Sequence, residues 1–299
     1  MNLPPQAVHL PFSAGPYRMA MGLVALPPDE LIELDERYPA EMAERRQLLA
    51  NRHAQVFAAI PGSEPARRAV LDRIADILPR RHPTLFTRDG ATLHNHITGE
   101  TWNLADPPLD PLEVAGRLVQ EDLCLLAPGP AGPILTAAVL CFPSGWSLAE
   151  KIGRPLAEIH APVPLYGETL ARPVDRFTRA LKPGKLASRL NWSLSDTSAL
   201  FRPKGHGRRD FNSLVTAQNA GEMLYLKVER QTLSVIDDAG GVLFGIRVHC
   251  YPLARIATRP DLAAALAAAV RGLPESLTLY KSFLPFRAAL LGWLDARAG

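Results

Sequence analysis

Residues 223–236, MLYLKVERQTLSVI, and residues 242–251, VLFGIRVHCY, flank the turn-forming run DDAGG at 237–241. Each flank is rich in β-branched and aromatic residues, and the run between them supplies Asp and Gly where a tight reversal needs them. The spacing predicts an antiparallel hairpin. Side chains alternate across a strand, so Val242, Phe244, Ile246, Val248 and Cys250 point one way. Leu243, Arg247, His249 and Tyr251 point the other way. The first set reads as core and the second as the wall of a polar pocket.

Working outward, residues 188–194 and the apolar runs 122–126 and 134–142 read as further strands. Leu85, Phe86 and residues 91–97 flank Asp89-Gly90, a second hairpin signal. Helices are expected over 30–37, capped by Asp29, and from Pro39 to Asn51. Others are expected over 66–78, 110–119, 166–181 with a kink at Pro173, 261–271 and 285–296. Five or so antiparallel strands interrupted by helices, behind a largely helical N-terminal part, define an α+β fold. Residues 4–26 read as an extended arm. The organisation expected is a helical part over 1–83 packed on a body over 84–299, together one compact unit.

Composition narrows the function. The chain has 299 residues, 47% hydrophobic and 21% charged, with a net charge of +3. That is ordinary globular composition without a basic run, so nucleic acid is not an expected partner. The three cysteines, Cys124, Cys141 and Cys250, form no C-x-x-C pair and no cluster-ligand set. The start, MNLPPQAVHLPF, lacks the basic and apolar pattern of a signal peptide, and the Ala-rich stretch 262–270 is too short to span a bilayer. A soluble, cytoplasmic protein without disulfides is expected. Neither G-x-G-x-x-G nor G-x-x-x-x-G-K-[ST] occurs, so no nicotinamide or nucleotide loop is recognisable. Ser193, His160 and Asp175 lack a G-x-S-x-G elbow and carry no hydrolase signal.

One histidine has a setting suited to a ligand. In AEKIGRPLAEIHAPVP, residues 149–164, Ser147 and Glu150 form a capping-box pattern, and Gly153 and Pro155 then break the helix. His160 follows on a second short turn that Pro162 and Pro164 stop. Such stops restrain the backbone, so a side chain between them loses little entropy on binding. A histidine satisfied beside a tight loop has the same pattern.

The run CFPSGWSLAEKIGRPLAEIHAPVP at 141–164 resembles the haem-dependent oxidative N-demethylase family, formerly a domain of unknown function. So do NWS at 191–193, VERQTL at 228–233 and FGIRVHCYPL at 244–253. GPYRMAMGL at 15–23, LDERYPAEMAERRQLL at 34–49 and SLTLYKSF at 276–283 continue the resemblance, which spans about Leu10 to Phe283. The resemblance implies a PAS-like antiparallel sheet that binds haem b and oxidises a small methylated secondary amine with O₂. It implies a separate reductase carrying FMN and a [2Fe–2S] cluster and using NADPH. Neutral imidazole is the usual axial donor for oxygen chemistry, and His160 is the favoured ligand, with His249 its main rival. Arg189, Arg230, Arg247 and Lys281 lie in the matching motifs and are the candidates for the haem propionates. For each arginine the alternative is a structural ion pair, with Glu229 or Asp122 as partner. His94 and His96 lack an evident third ligand, and Cys141 reads as packed core. The other function considered is a haem-binding sensor or carrier without turnover.

Overall fold

The computed structural model describes residues 3–12, 19–236 and 241–298. Among them, ten strands form two antiparallel sheets. The strands are β1 (Val24–Leu26), β2 (Phe57–Ala59), β3 (Phe86–Asp89), β4 (Thr92–Asn95) and β5 (Glu100–Asn103). They continue with β6 (Asp122–Ala127), β7 (Ile134–Val139), β8 (Leu186–Ser195), β9 (Tyr225–Ile236) and β10 (Gly241–Pro252). The larger sheet runs β1-β8-β9-β10-β6-β7-β2, and β3-β4-β5 form the smaller one. With helices packed around the large sheet, the chain has the α+β fold.

The β9–β10 hairpin is the centre of the large sheet, in continuous register from Ile236 opposite Gly241 to Tyr225 opposite Pro252. Most of the expected turn lies at 237–240, outside the described residues, as does part of the N-terminal arm at 13–18. Strand β8 pairs along β9, and β6 along β10. These neighbours are far apart in sequence, so pattern alone could place the strands but not order them.

The helix expected over 30–37 is absent. A 3-10 turn spans Pro28–Glu30, residues 32–35 have no regular structure, and a turn at 36–37 leads into the helix Tyr38–Asn51. The reason is tertiary. Arg230 donates to the carbonyls of Glu30 and Leu31, the backbone N–H of Glu33 donates to Glu121, and that of Asp35 to Gln120. A helix would use those backbone groups internally, whereas here Arg230 of β9 and the residues just before β6 supply their partners. Leu31, Ile32 and Leu34 are buried by the same docking. The helix expected over 166–181 is broken at Leu170, giving Tyr166–Thr169 and Ala171–Ala180, three residues before Pro173.

Apolar packing falls into two clusters. One joins the helix Glu64–Arg81, the smaller sheet and strands β6, β7 and β10 through residues such as Leu71, Ile74, Phe86 and Leu125. The other joins Leu226, Val228 and Tyr251 to the helices Pro260–Gly272 and Arg287–Ala298 through Leu266, Phe286 and Trp293. Among the described residues no helix is long and apolar enough to cross a membrane.

Candidate functional site

The two faces of the hairpin have different environments, and the assignment drawn from alternation alone is reversed. Phe244 and Ile246, expected in the core, line a cavity of about 1310 Å³. Lys227, Glu229, Gln231 and Leu233 of β9 line the same cavity, opposite Cys250, Val248, Ile246 and Phe244 in register. Arg189, Asn191 and Ser193 of β8 complete this wall, and Leu126 and Leu135 extend it onto β6 and β7. The far wall is the segment around the short helices Leu148–Lys151 and Leu156–Ile159, with Leu170, Val174 and Phe177. The volume exceeds the roughly 300–1,000 Å³ usual for a small-molecule pocket.

His160 stands in this wall. It caps the helix Leu156–Ile159, and its Nδ1 lies 2.9 Å from the Leu156 carbonyl oxygen. A carbonyl only accepts, so Nδ1 carries the proton and Nε2 keeps its lone pair. The ring stacks on Tyr166 at 4.5 Å and 15°. Burial, against the raising effect of the Leu156 hydrogen bond, pushes the imidazole below its usual pKa and favours the neutral donor form. Leu165, directly after the PVP stop, has φ 66°, and Ser282, directly after Lys281, has φ 59°. Both are left-handed non-glycine residues beside the cavity, where tertiary contacts sustain a conformation that costs about 1–3 kcal/mol.

Lys281 reaches the cavity from the turn after the helix Glu275–Tyr280. Its Nζ donates to the Trp192 carbonyl at 2.6 Å and lies 3.4 Å from Asn191 Oδ1. Burial pushes this ammonium down to about 8. Glu229 is held by two amides, Asn191 Nδ2 at 3.2 Å and Gln231 Nε2 at 2.8 Å, both on its Oε2. Trp192 lines the cavity as well, with Phe12 edge-on at 6.0 Å.

The structure therefore brings His160, Arg189 and Lys281 together and leaves out the other two candidates. Arg247 is fully buried on the opposite face, 2.7 Å from Asp35 and 2.9 Å from Glu41. Arg230 lies beside it in register and is 3.2 Å from Glu33. Both are structural ion pairs, but with carboxylates of the N-terminal segment rather than with Glu229 or Asp122. Odd positions of β10 and even positions of β9 face away from the cavity, which is why these arginines cannot reach it. His249 follows the same parity, is fully buried beside Glu33 and Asp35, and does not line the cavity.

Sequence reading missed Glu229, Gln231 and His206. Alternation in VERQTL places Glu229 and Gln231 on one face, but the partner strand that reveals which face is open is remote in sequence. His206 sits at the cavity edge, stacked on Tyr280 at 4.1 Å, with Nδ1 3.0 Å from the Tyr280 carbonyl oxygen. Its Nε2 would be 2.7 Å from a Cβ on Gly145, whose φ is +89°. The SGW turn thus needs glycine both for its backbone and for the ring above it.

A haem fits the chemistry of this donor set. The walls are apolar, a neutral imidazole has its outer nitrogen tied to a carbonyl, and cations stand on the strand side. A thiolate ligand does not fit. Cys141 is outside the cavity, and burial holds its thiol up at about 12; Cys124 lines the cavity but is buried, and its thiol is raised further still.

This is an α+β protein whose large, mainly apolar cavity, with an imidazole on one wall and cations on the other, has the room and the donors to hold a cofactor. Residues 22–291 match the family model described as haem-dependent oxidative N-demethylase, alpha subunit-like. The match covers most of the chain, which belongs to this family. The family's description carries haem dependence, oxidative enzymology and the place of one subunit among others.

Proposed function

We propose that this chain is the haem-carrying subunit of an oxidative N-demethylase acting on a small methylated secondary amine. The observation that supports it most is the joint placement of His160, Arg189, Lys281 and Glu229 around one cavity. His160 Nε2 would hold the iron, with the Leu156 carbonyl holding the opposite nitrogen and so the ring orientation. Arg189 and Lys281 would balance its propionates, and the apolar residues of segments 156–177 and 244–246 that line the cavity would exclude water from it. Bound haem b supplies the redox chemistry by which O₂, two electrons and two protons convert an N-methyl group to formaldehyde, leaving the demethylated amine and water.

Glu229 is the residue suited to the substrate. A methylated amine is a cation at neutral pH, and the Asn191 and Gln231 amides hold Oε2 while Oε1 remains available to accept an N–H. This polar floor favours turnover over a sensor or carrier, whose pocket needs no group for an amine. The electrons come from outside the chain, since this sequence has neither a dinucleotide loop nor cluster cysteines, and the family resemblance implies a separate reductase with FMN, a [2Fe–2S] cluster and NADPH.

The test is spectroscopic. The chain reconstituted with haemin should show a Soret band that shifts on reduction and on adding CO, and dimethylamine should perturb the spectrum. Failure to take up haemin overturns the reading. NADPH oxidation by the purified single chain would overturn the separate-reductase part.

A further inference from the structure

The face of the sheet away from the cavity carries a second constellation. His9 Nε2 is 3.1 Å from Glu33 Oε1, and His249 Nε2 is 3.6 Å from the same oxygen. The ligand atoms of the three residues all lie within 4.8 Å of one another, and they form the one such group of three or more found among the described residues. The His9 and His249 rings are 4.7 Å apart. The His9 ring thus packs on the sheet.

His249 has no exposed surface, yet neither ring nitrogen has a hydrogen-bond partner among the described residues. A buried polar group left so costs about 1–3 kcal/mol. The 3.6 Å to Glu33 is too long for a hydrogen bond. It suits two donors sharing an ion, because bonds of about 2.0–2.2 Å at tetrahedral angles separate ligand atoms by roughly 3–4 Å. Asp35 Oδ2 lies 3.8 Å from His249 Nδ1, likewise beyond hydrogen-bond reach, and is held by Arg247 at 2.7 Å.

The local charges leave room for a cation. Arg230 lies 3.2 Å from Glu33 Oε2, on the side away from the Oε1 that faces both histidines. Arg247 is matched by Asp35 and Glu41. Counting the buried Glu121, which accepts from the Glu33 N–H, and the exposed Arg37, 3.9 Å from Glu41, four carboxylates thus face three guanidiniums, with two imidazoles between them.

We infer that His9, Glu33 and His249 form a site for one divalent transition-metal ion of the zinc or iron(II) class, separate from the cavity that faces the other side of the sheet. Two imidazoles and a carboxylate are the donor set such ions take. The ion fastens the N-terminal segment to the sheet. Tyr251 marks the same junction, its hydroxyl donating to the Ala7 carbonyl at 2.6 Å and accepting from the His9 N–H at 3.3 Å. Pro11 and Phe12, just beyond His9, line the cavity, so the clasp also seats part of its wall.

The probe is Zn²⁺. The full chain is stripped with a chelator and dialysed against Zn²⁺, and retained zinc is counted by mass spectrometry. One ion per chain should be retained, with a raised melting temperature. His9→Ala and His249→Ala should each lower zinc affinity by more than the roughly 10–100-fold that outer-sphere changes cost. The double variant His94→Ala/His96→Ala should bind as the unaltered chain does. His9→Ala lies in the N-terminal segment, so it reports on the site even if His249→Ala folds poorly. Absence of retained zinc, or equal retention in His9→Ala, overturns the assignment. Haem uptake, read from the Soret band, is a separate measurement, so this inference and the haem reading fail independently.

Discussion

On one face of the β9–β10 hairpin, Arg247 touches Asp35 and Glu41, and Arg230 touches Glu33. On the other face, Lys281 rests on the Trp192 carbonyl, and Glu229 is held by two neutral amides. The same residue types thus stand in two settings a strand's thickness apart. Where the N-terminal segment docks, it brings carboxylates, and charge is consumed inside the fold. Where short helices arch away from the sheet, charge remains turned towards open volume. A buried charge needs a partner. On the first face carboxylates of the chain supply it, and on the second neutral carbonyl and amide groups do, beside open volume.

Substitutions should separate the two faces. The largest effect is expected at His160. His160→Ala should lose haem or hold it loosely, with added imidazole partly restoring the Soret band, while His249→Ala should keep a native spectrum. If His249→Ala loses haem and His160→Ala does not, the faces have been assigned the wrong way round.

Next is Arg247→Ala. It strands Asp35 and Glu41 in the interior, and breaking a buried pair from one side costs about 3–5 kcal/mol. Chemical denaturation should show a loss of that size, whereas Arg189→Ala should weaken haem binding with a much smaller change in stability. Equal losses of stability would erase the distinction.

Glu229→Gln keeps the shape of the cavity floor and removes its charge. A hydrogen bond to a charged group is worth about 1.5–3 kcal/mol, so the amine KM should rise roughly 10–100-fold while haem content is unchanged. An unaltered KM would place amine recognition elsewhere.

The smallest effect is a pH dependence at Lys281. Burial holds its pKa at about 8, so it is charged below that pH and neutral above it. A propionate stabilises the charged form and raises the pKa of the bound state. Haem affinity should therefore be highest below pH 8 and fall by up to about tenfold for each pH unit above it. Titrating haemin at pH 7 and 9 checks this, and Lys281→Met should flatten the difference.

Much of the fold could be read from local chemistry. The β9–β10 strands, the β3–β4 hairpin at Asp89-Gly90 and the helices Glu64–Arg81 and Pro260–Gly272 follow from periodicity and from where Gly and Pro stand. The family match over 22–291 agrees with motifs that can be quoted from the sequence. These features depend on neighbours a few residues apart, for which sequence pattern is sufficient information.

The facing of the sheet was settled only by distant partners. Alternation divides β10 into two sets of side chains, but it does not say which set meets solvent, helix or cavity. That depended on residues 30–36 giving up a helix to dock Glu33 and Asp35 against Arg230, Arg247 and His249, some two hundred positions later in the chain. The docking filled the face that looked like a pocket and left the apolar face to line one. Sequence determined the strands and the residues available on each side of them. Tertiary structure decided which side became the site, because charge neutralisation in the interior is a property of the assembled chain and not of any single stretch.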